Sequence, residues 1–217
     1  MRKSVNEKES EEKNDNRKTT LLVLGLIAVL ATGALAWPQP VYPELPPERL
    51  EQAPFLGSSD AAVTIIEFGD YACEACRMWH NSGVLEEILE RYPGQVRYVW
   101  RENARRSTAS VKAAEAAQCA FEQGMYWEYH AQLFEQTSGI GLDALVGYAT
   151  HINLDMAAFR TCLTEGQMRN KVRYDMKKAG VYGFSMTPAF WVNGETIIGP
   201  PPVSYLAEII DRKLAGE

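Results

Sequence analysis

Hydrophobic and polar positions divide this chain into three zones. Residues 1–18 are polar and mixed in sign, with no apolar period running through them, the pattern of a solvated tail. Thr19 to Trp37 then carries no charge over 19 residues, about 28 Å as a helix and close to the roughly 30 Å hydrocarbon core of a bilayer. Pro38 to Pro54 holds six prolines in 17 residues and reads as a stiff, extended spacer. A folded part is expected from about Gly57.

Within that part, Ala62 to Phe68 is rich in β-branched residues and almost wholly apolar, as a buried central strand would be. A helix is expected from Cys73 to about Arg91, with Val84, Leu85, Ile88 and Leu89 on one face and Pro93-Gly94 as its stop. Val96 to Trp100 alternates and predicts a second strand, which completes a β-α-β unit. Helical spacing then dominates: Val111–Glu122, Tyr126–Glu135, Leu142–Thr150, Asp155–Leu163 and Gln167–Lys178. Strands return at Ala189 to Val192 and Thr196 to Ile198 around Asn193-Gly194, a strong hairpin signal. A last helix is expected at Val203 to Leu214. The pattern predicts an α/β fold with a helical insertion over about 108–180, preceded by an N-terminal transmembrane helix or signal segment.

Composition changes this picture little. In 217 residues, 46% are apolar and 23% charged, ordinary for a domain with a real core. A formal charge of −6 lacks the basic footprint of a nucleic-acid binder. Charge matters more at the N-terminus, where Arg17 and Lys18 immediately precede the apolar run and so place the tail in the cytoplasm. The run fits a signal anchor, with Trp37 at the interface. It also fits a cleavable signal peptide with Ala34-Leu35-Ala36 as its site. A buried core helix is the plain structural alternative. Either signal reading exports the rest of the chain, as a single-pass membrane protein with its domain outside the cytoplasm or as a soluble form cut after Ala36.

Four cysteines are too few for a disulfide-stapled miniprotein and enough for chemistry. Cys73-Glu74-Ala75-Cys76 falls where a strand turns into a helix. Unpaired N–H groups and the positive end of the helix dipole stabilise a thiolate at Cys73, and Cys76, within one turn, can resolve a mixed disulfide. Half of a zinc site is the alternative, but zinc needs a second ligand pair. Cys119 and Cys162 lie apart, neither in a second C-x-x-C.

Glu-Phe-Gly-Asp-Tyr after a strand, C-x-x-C-Arg, a helical insertion, Thr187-Pro188 before a strand and Phe190-Trp191-Val192-Asn193-Gly194 together resemble the DsbA-like thiol:disulfide oxidoreductases of the thioredoxin superfamily. The resemblance implies a thioredoxin-like fold and no cofactor or metal. It makes Cys73 the exposed nucleophile and Cys76 the resolving thiol. Thr187-Pro188 becomes the loop whose proline is cis, packs against the disulfide and offers backbone groups to a client peptide. Glu67 matches the family's buried acid, which relays protons to the resolving thiol; the alternative is a peripheral carboxylate in water. His80, two turns after Cys73, reads chiefly as a packing residue, and His130 and His151 as structural. Similar cysteines in the insertion of family members imply a structural disulfide between Cys119 and Cys162; two buried free thiols are the alternative.

The spacer departs from the family, whose frequent Pro-Tyr or Pro-His is replaced by Glu74-Ala75. A carboxylate beside Cys73 would repel a thiolate, which weakens the case for strong oxidising power. Implied partners are reduced secreted client proteins and, for an oxidase, a quinone-linked membrane reoxidase of the DsbB or vitamin K epoxide reductase type. A membrane-tethered reductase and a non-catalytic, peptide-binding holdase are the competing functions.

Overall fold

A computed structural model describes residues 53–135 and 138–216. The tail, the apolar run, the Ala34–Ala36 cleavage site and the spacer before residue 53 lie outside the described residues. Among those described, no helix is long and apolar enough to cross a membrane.

Five strands form one sheet in the order β1-β3-β2-β4-β5, where β1 is Phe55–Gly57, β2 Val63–Gly69, β3 Val96–Glu102, β4 Ala189–Val192 and β5 Glu195–Ile198. The two central strands, β2 and β3, run parallel, with Glu67 opposite Trp100; the other pairings are antiparallel. Successive residues of β2 are buried on opposite faces. Val63 and Ile65 pack with Trp79, Ile88 and Ile210, while Ile66 and Phe68 pack with Ala179, Tyr182 and Phe184. Burial on both faces is why this strand reads as an unbroken apolar run.

Between β2 and β3 the chain forms two helices, α1 (Glu74–His80) and α2 (Val84–Arg91), where the sequence pattern predicts one. The break has a local cause. Gly83 takes a left-handed conformation, φ 78°, and caps α2, so Asn81-Ser82-Gly83 turns the chain instead of continuing the helix. Leu85 and Ile88 are buried, and Val84 and Leu89 pack partly against the same cluster.

Five helices follow β3: α3 (Thr108–Phe121), α4 (Tyr126–Glu135), α5 (Leu142–His151), α6 (Met156–Glu165) and α7 (Arg169–Val181). Their caps are chemical. The Ser107 hydroxyl accepts from the Ser110 N–H at 3.1 Å, and Asp155 accepts from the Ala157 and Ala158 N–H groups. A disulfide joins Cys119 of α3 to Cys162 of α6, with Cα atoms 5.9 Å apart. At the β4–β5 hairpin both Asn193 and Gly194 have positive φ, the geometry that Asn-Gly tolerates best. Helix α8 (Val203–Leu214) closes the Trp79 face of the sheet.

The short strand β1 begins before Gly57, where the sequence predicts the folded part to start. Phe55 pairs with Val99, and the preceding Ala53 is 1% exposed, so the folded unit reaches back into the proline-rich stretch. Three residues are too few to show a period.

Candidate active site

Asp70, Tyr71 and Ala72 turn the chain from β2 into α1. The Cys73 N–H donates to the Asp70 carbonyl at 2.9 Å, and the Ala72 N–H to Asp70 Oδ1 at 2.8 Å. Cys73 is thereby the N-cap of α1, in extended conformation, with its sulfur at the end of the helix where N–H groups lack partners. Cys76 lies one turn in. Both are free thiols. Across from them, the Thr187-Pro188 peptide bond is cis, and the Cys73 thiol donates to the Thr187 carbonyl at 3.2 Å.

Cys73 is not the exposed nucleophile that the resemblance implies. It is 1% exposed, and Cys76 is wholly buried. The Thr187 carbonyl lies against its sulfur on one side. The Arg106 guanidinium approaches on another, with Nη2 at 3.5 Å. Reaction with a client therefore requires these groups to give way.

The two thiols are driven apart in acidity. Cys73 is lowered from 9.0 to about 4. The largest cause is the hydrogen bond it receives from the Cys76 thiol. Burial opposes, while the Thr187 side chain, the Cys76 N–H and, least of these, Arg106 favour the thiolate. Cys76 is pushed up, first by burial, then by the hydrogen bond it gives to Cys73 and by the Glu67 carboxylate. Glu74, solvent-exposed, exerts no comparable influence on Cys73. The repulsion expected from the Glu-Ala spacer is therefore not what sets Cys73; the hydrogen bond from Cys76 dominates, and the Arg106 cation adds a smaller contribution.

That cation is held by Asp70. Its Oδ2 accepts from the Arg105 and Arg106 N–H groups at 2.9 and 3.0 Å, so one buried carboxylate ties the turn before Cys73 to the loop between β3 and α3. Neither Asp70 nor Arg106 is singled out by the sequence pattern. The Asp in Glu-Phe-Gly-Asp-Tyr and the Arg105-Arg106 pair are visible signals, but only the fold brings them together.

Glu67 is wholly buried. Tyr98 donates its hydroxyl to Oε2 at 2.7 Å, and His80 Nε2 stands 3.2 Å from the same oxygen, within ion-pair distance but outside hydrogen-bond alignment. The peripheral, water-exposed alternative for Glu67 is thus overturned. His80 also packs, stacking on Phe134 at 4.2 Å, so packing describes only half of its surroundings. His130 is buried, with Nδ1 2.9 Å from the Tyr71 hydroxyl; burial, then His80, lowers its proton affinity well below the usual value. His151 ends α5 at the surface. Among the described residues no group of three or more His, Cys, Asp or Glu could hold a metal.

A family model described as thioredoxin matches residues 49–212. The chain belongs to the thioredoxin family. A thioredoxin-like oxidoreductase from Silicibacter pomeroyi DSS-3 superposes with a TM-score of 0.68 at 28% identity, over 74% of this chain and 91% of that one. BdbD from Bacillus subtilis, in its oxidised form, gives 0.71 at 23% identity over 81% and 97%; alpha-DsbA1 from Wolbachia pipientis gives 0.68 at 23% over 77% and 93%. The fold is the thioredoxin-like one of DsbA-type proteins, with the five-helix insertion between β3 and β4.

Matching curated relatives include the Na(+)/H(+) antiporter NhaA 3 of Salinispora tropica, 32% identical over 71% of this chain but only 24% of that protein. The NhaA of Herminiimonas arsenicoxydans is 27% identical over 79% of this chain and 27% of its own length. The chain thus spans about a quarter of the length of these relatives.

Proposed function

We propose that this protein is an exported thiol:disulfide oxidoreductase, tethered by its N-terminal apolar segment, that forms or rearranges disulfides in secreted proteins. The observation that carries the reading is the split between two neighbouring thiols. Cys73 is a thiolate near neutral pH, and Cys76 is held protonated. A stabilised thiolate favours the reduced state by ~1.4 kcal/mol per pKa unit, and hence makes the disulfide more oxidising by ~30 mV per unit. This supports oxidation or isomerisation over a tethered reductase, and a thiolate so activated has no purpose in a holdase.

In the oxidising direction a client thiolate attacks Cys73 Sγ. The Cys73–Cys76 bond breaks, and its electron pair goes to Cys76, which takes up a proton. A second client thiolate then attacks the client sulfur of the mixed disulfide and expels the Cys73 thiolate. Two electrons have moved from client to enzyme. They pass on to a reoxidase, for which a quinone-linked membrane protein of the DsbB or vitamin K epoxide reductase type has the required chemistry. Export is supported by Arg17-Lys18 ahead of the uncharged run.

Trapping tests the roles. Cys76→Ala should accumulate client proteins as mixed disulfides through Cys73, and Cys73→Ala should accumulate none. Equal trapping by both variants, or by neither, would overturn the assignment. Alkaline phosphatase fused after Glu217 should be active if the domain is exported.

A further inference from the structure

Each catalytic cycle changes the protonation of Cys76, yet Cys76 is wholly buried. When the Cys73–Cys76 bond breaks, the electron pair left on Cys76 must meet a proton; when the bond re-forms, that proton must leave. Entry past Cys73 is covered by Thr187 and Arg106, and in a mixed disulfide by the client as well. The geometry points to His80 as the group that passes protons between Glu67 and a solvent pocket behind the active site, supplying Cys76 from the side away from the client. This rests on the redox reading given above.

Three placements carry it. Cys76 and His80 are four residues apart on α1, which sets them on the same face one turn apart. Glu67 acts on Cys76, lies 3.2 Å from His80 Nε2, and has its other oxygen, Oε1, buried with no hydrogen-bond partner among the described residues. His80 also lines a pocket of about 320 Å³, together with Leu56, Asn81, Glu86, Trp127 and His130. Asn81 and Glu86 on its rim are exposed. Glu67 does not reach this pocket, so His80 is the bridge between carboxylate and water. An imidazole suits the task, because it can accept a proton at one ring nitrogen and release it from the other.

The other groups facing His80 leave it that role. Tyr98, from β3, commits its hydroxyl to Glu67. His130, from α4, has Nδ1 engaged with Tyr71 and is held neutral by burial. Glu86 of α2 and Glu135 of α4 are exposed where the pocket opens and can only attract protons to it. Trp100 and Phe134 contribute uncharged ring faces. His80 acts through Glu67 and is therefore a positioning residue for the proton, not a group that touches sulfur.

The test is stopped-flow reduction of the full-length oxidised protein by a cysteine-containing peptide, followed across pH. His80→Phe keeps the stacking on Phe134 and removes both nitrogens; His80→Gln guards against misfolding of the first variant. The relay predicts that both variants slow the step that forms the Cys76 thiol about tenfold or more. They should also lose its pH dependence, regain rate with added imidazole, and retain the wild-type pH profile for alkylation of Cys73. Variants with the wild-type rate and profile would overturn the relay while leaving the redox reading intact. So would a slowing that imidazole cannot relieve. A wild-type protein that does not react with the peptide at all would overturn the redox reading itself, and the relay with it.

Discussion

The Arg106 guanidinium stands 3.5 Å from the Cys73 sulfur, brought across a sequence separation of 33 residues by the buried carboxylate of Asp70. The contact changes how the Glu74-Ala75 spacer should be judged. Here the residue next to Cys73 is an exposed anion, and the cation that favours the thiolate comes from the β3–α3 loop. Arg106→Gln should therefore raise the Cys73 pKa, by up to about one unit given the exposure of the arginine, and shift the potential about 30 mV toward reducing. Glu74→Gln should move both quantities less, in the opposite direction. Ultraviolet titration of the thiolate and equilibration against glutathione read both. A larger effect from Glu74 than from Arg106 would reverse this ranking.

The same thiolate makes stability depend on pH in one redox state only. In the reduced protein Cys73 titrates near 4 when folded and near 9 when unfolded. Between these values the unfolded state binds more protons, so the thiolate's contribution grows as pH rises through the window and is lost as pH falls toward 4. The oxidised protein lacks this titration. Buried Glu102, raised to about 8, destabilises both forms as pH rises above its unfolded value of 4.5, and so cancels in the comparison. The stability of the reduced form relative to the oxidised form should increase from about pH 5 to about pH 8, read as paired urea midpoints. A flat difference would mean that Cys73 is not a thiolate in the folded protein.

Glu102 has a consequence of its own. It is buried at the end of β3 and accepts from Gln118 Nε2 at 2.9 Å and the Tyr126 hydroxyl at 3.4 Å through Oε1; burial outweighs the Gln118 and Trp100 hydrogen bonds that favour its carboxylate. Its raised pKa means the folded state holds a proton that the unfolded state has released, so stability falls as pH climbs from about 4.5 toward 8. Glu102→Gln is the permanently neutral analogue. It should flatten this fall and leave the protein more stable than wild type at alkaline pH. An unchanged slope in urea unfolding across the window would assign the loss to other groups.

Periodicity and turn chemistry made most of the fold legible. The runs at Tyr126–Glu135 and Val203–Leu214 take the expected bounds, because each buries one apolar face. The misses have physical reasons. Asn81-Ser82-Gly83 is a readable turn signal, but the apolar face at Val84, Leu85, Ile88 and Leu89 predicts one continuous helix up to the Pro93-Gly94 stop. At the active site the sequence exposes what is local: the two cysteines, the proline, and the acid in the strand. It hides what depends on through-space closure, namely the Asp70 clamp, Arg106 over the sulfur, and Tyr98 and His80 around Glu67. Burial of Cys73 belongs to the second kind, since it is imposed by Thr187 and Arg106.

In the insertion, the Cys119–Cys162 bond closes a loop of 44 residues between α3 and α6. Such a loop contributes roughly 4 kcal/mol when the main effect is restriction of the unfolded chain. Both cysteines are buried in the cluster that includes Ala116, Tyr129 and Phe159 of the insertion, where alanine leaves small voids. The double variant Cys119→Ala/Cys162→Ala should lose a few kcal/mol in denaturant unfolding yet keep the Cys73 titration. Non-reducing peptide mapping of the wild type should recover the linked pair. Two alkylatable thiols at these positions in the oxidised protein would refute the bond.

Gly69 ends β2 directly before Asp70, and its constraint is space, not backbone angle. A Cβ there would overlap the six-membered ring of the Trp100 indole. Trp100 cannot retreat: it is wholly buried, with ring centroids of Tyr71 at 5.2 Å, His130 at 4.7 Å, His80 at 5.4 Å and Phe134 at 5.6 Å. The Gly69 carbonyl also accepts from the Asn103 N–H at 2.7 Å, which holds the ends of β2 and β3 together where Asp70 reaches Arg105 and Arg106. Gly69→Ala must therefore push either the indole or the strand end. Overpacking of this kind costs about 1–3 kcal/mol, and here the strain falls on the clamp that sets Arg106 over Cys73. The expected result is a lower urea midpoint, altered tryptophan fluorescence and a higher Cys73 pKa in the same variant. Destabilisation with an unaltered Cys73 titration would show that the clamp holds Arg106 independently of the strand end, and wild-type stability would show that Trp100 has room that its neighbours do not provide.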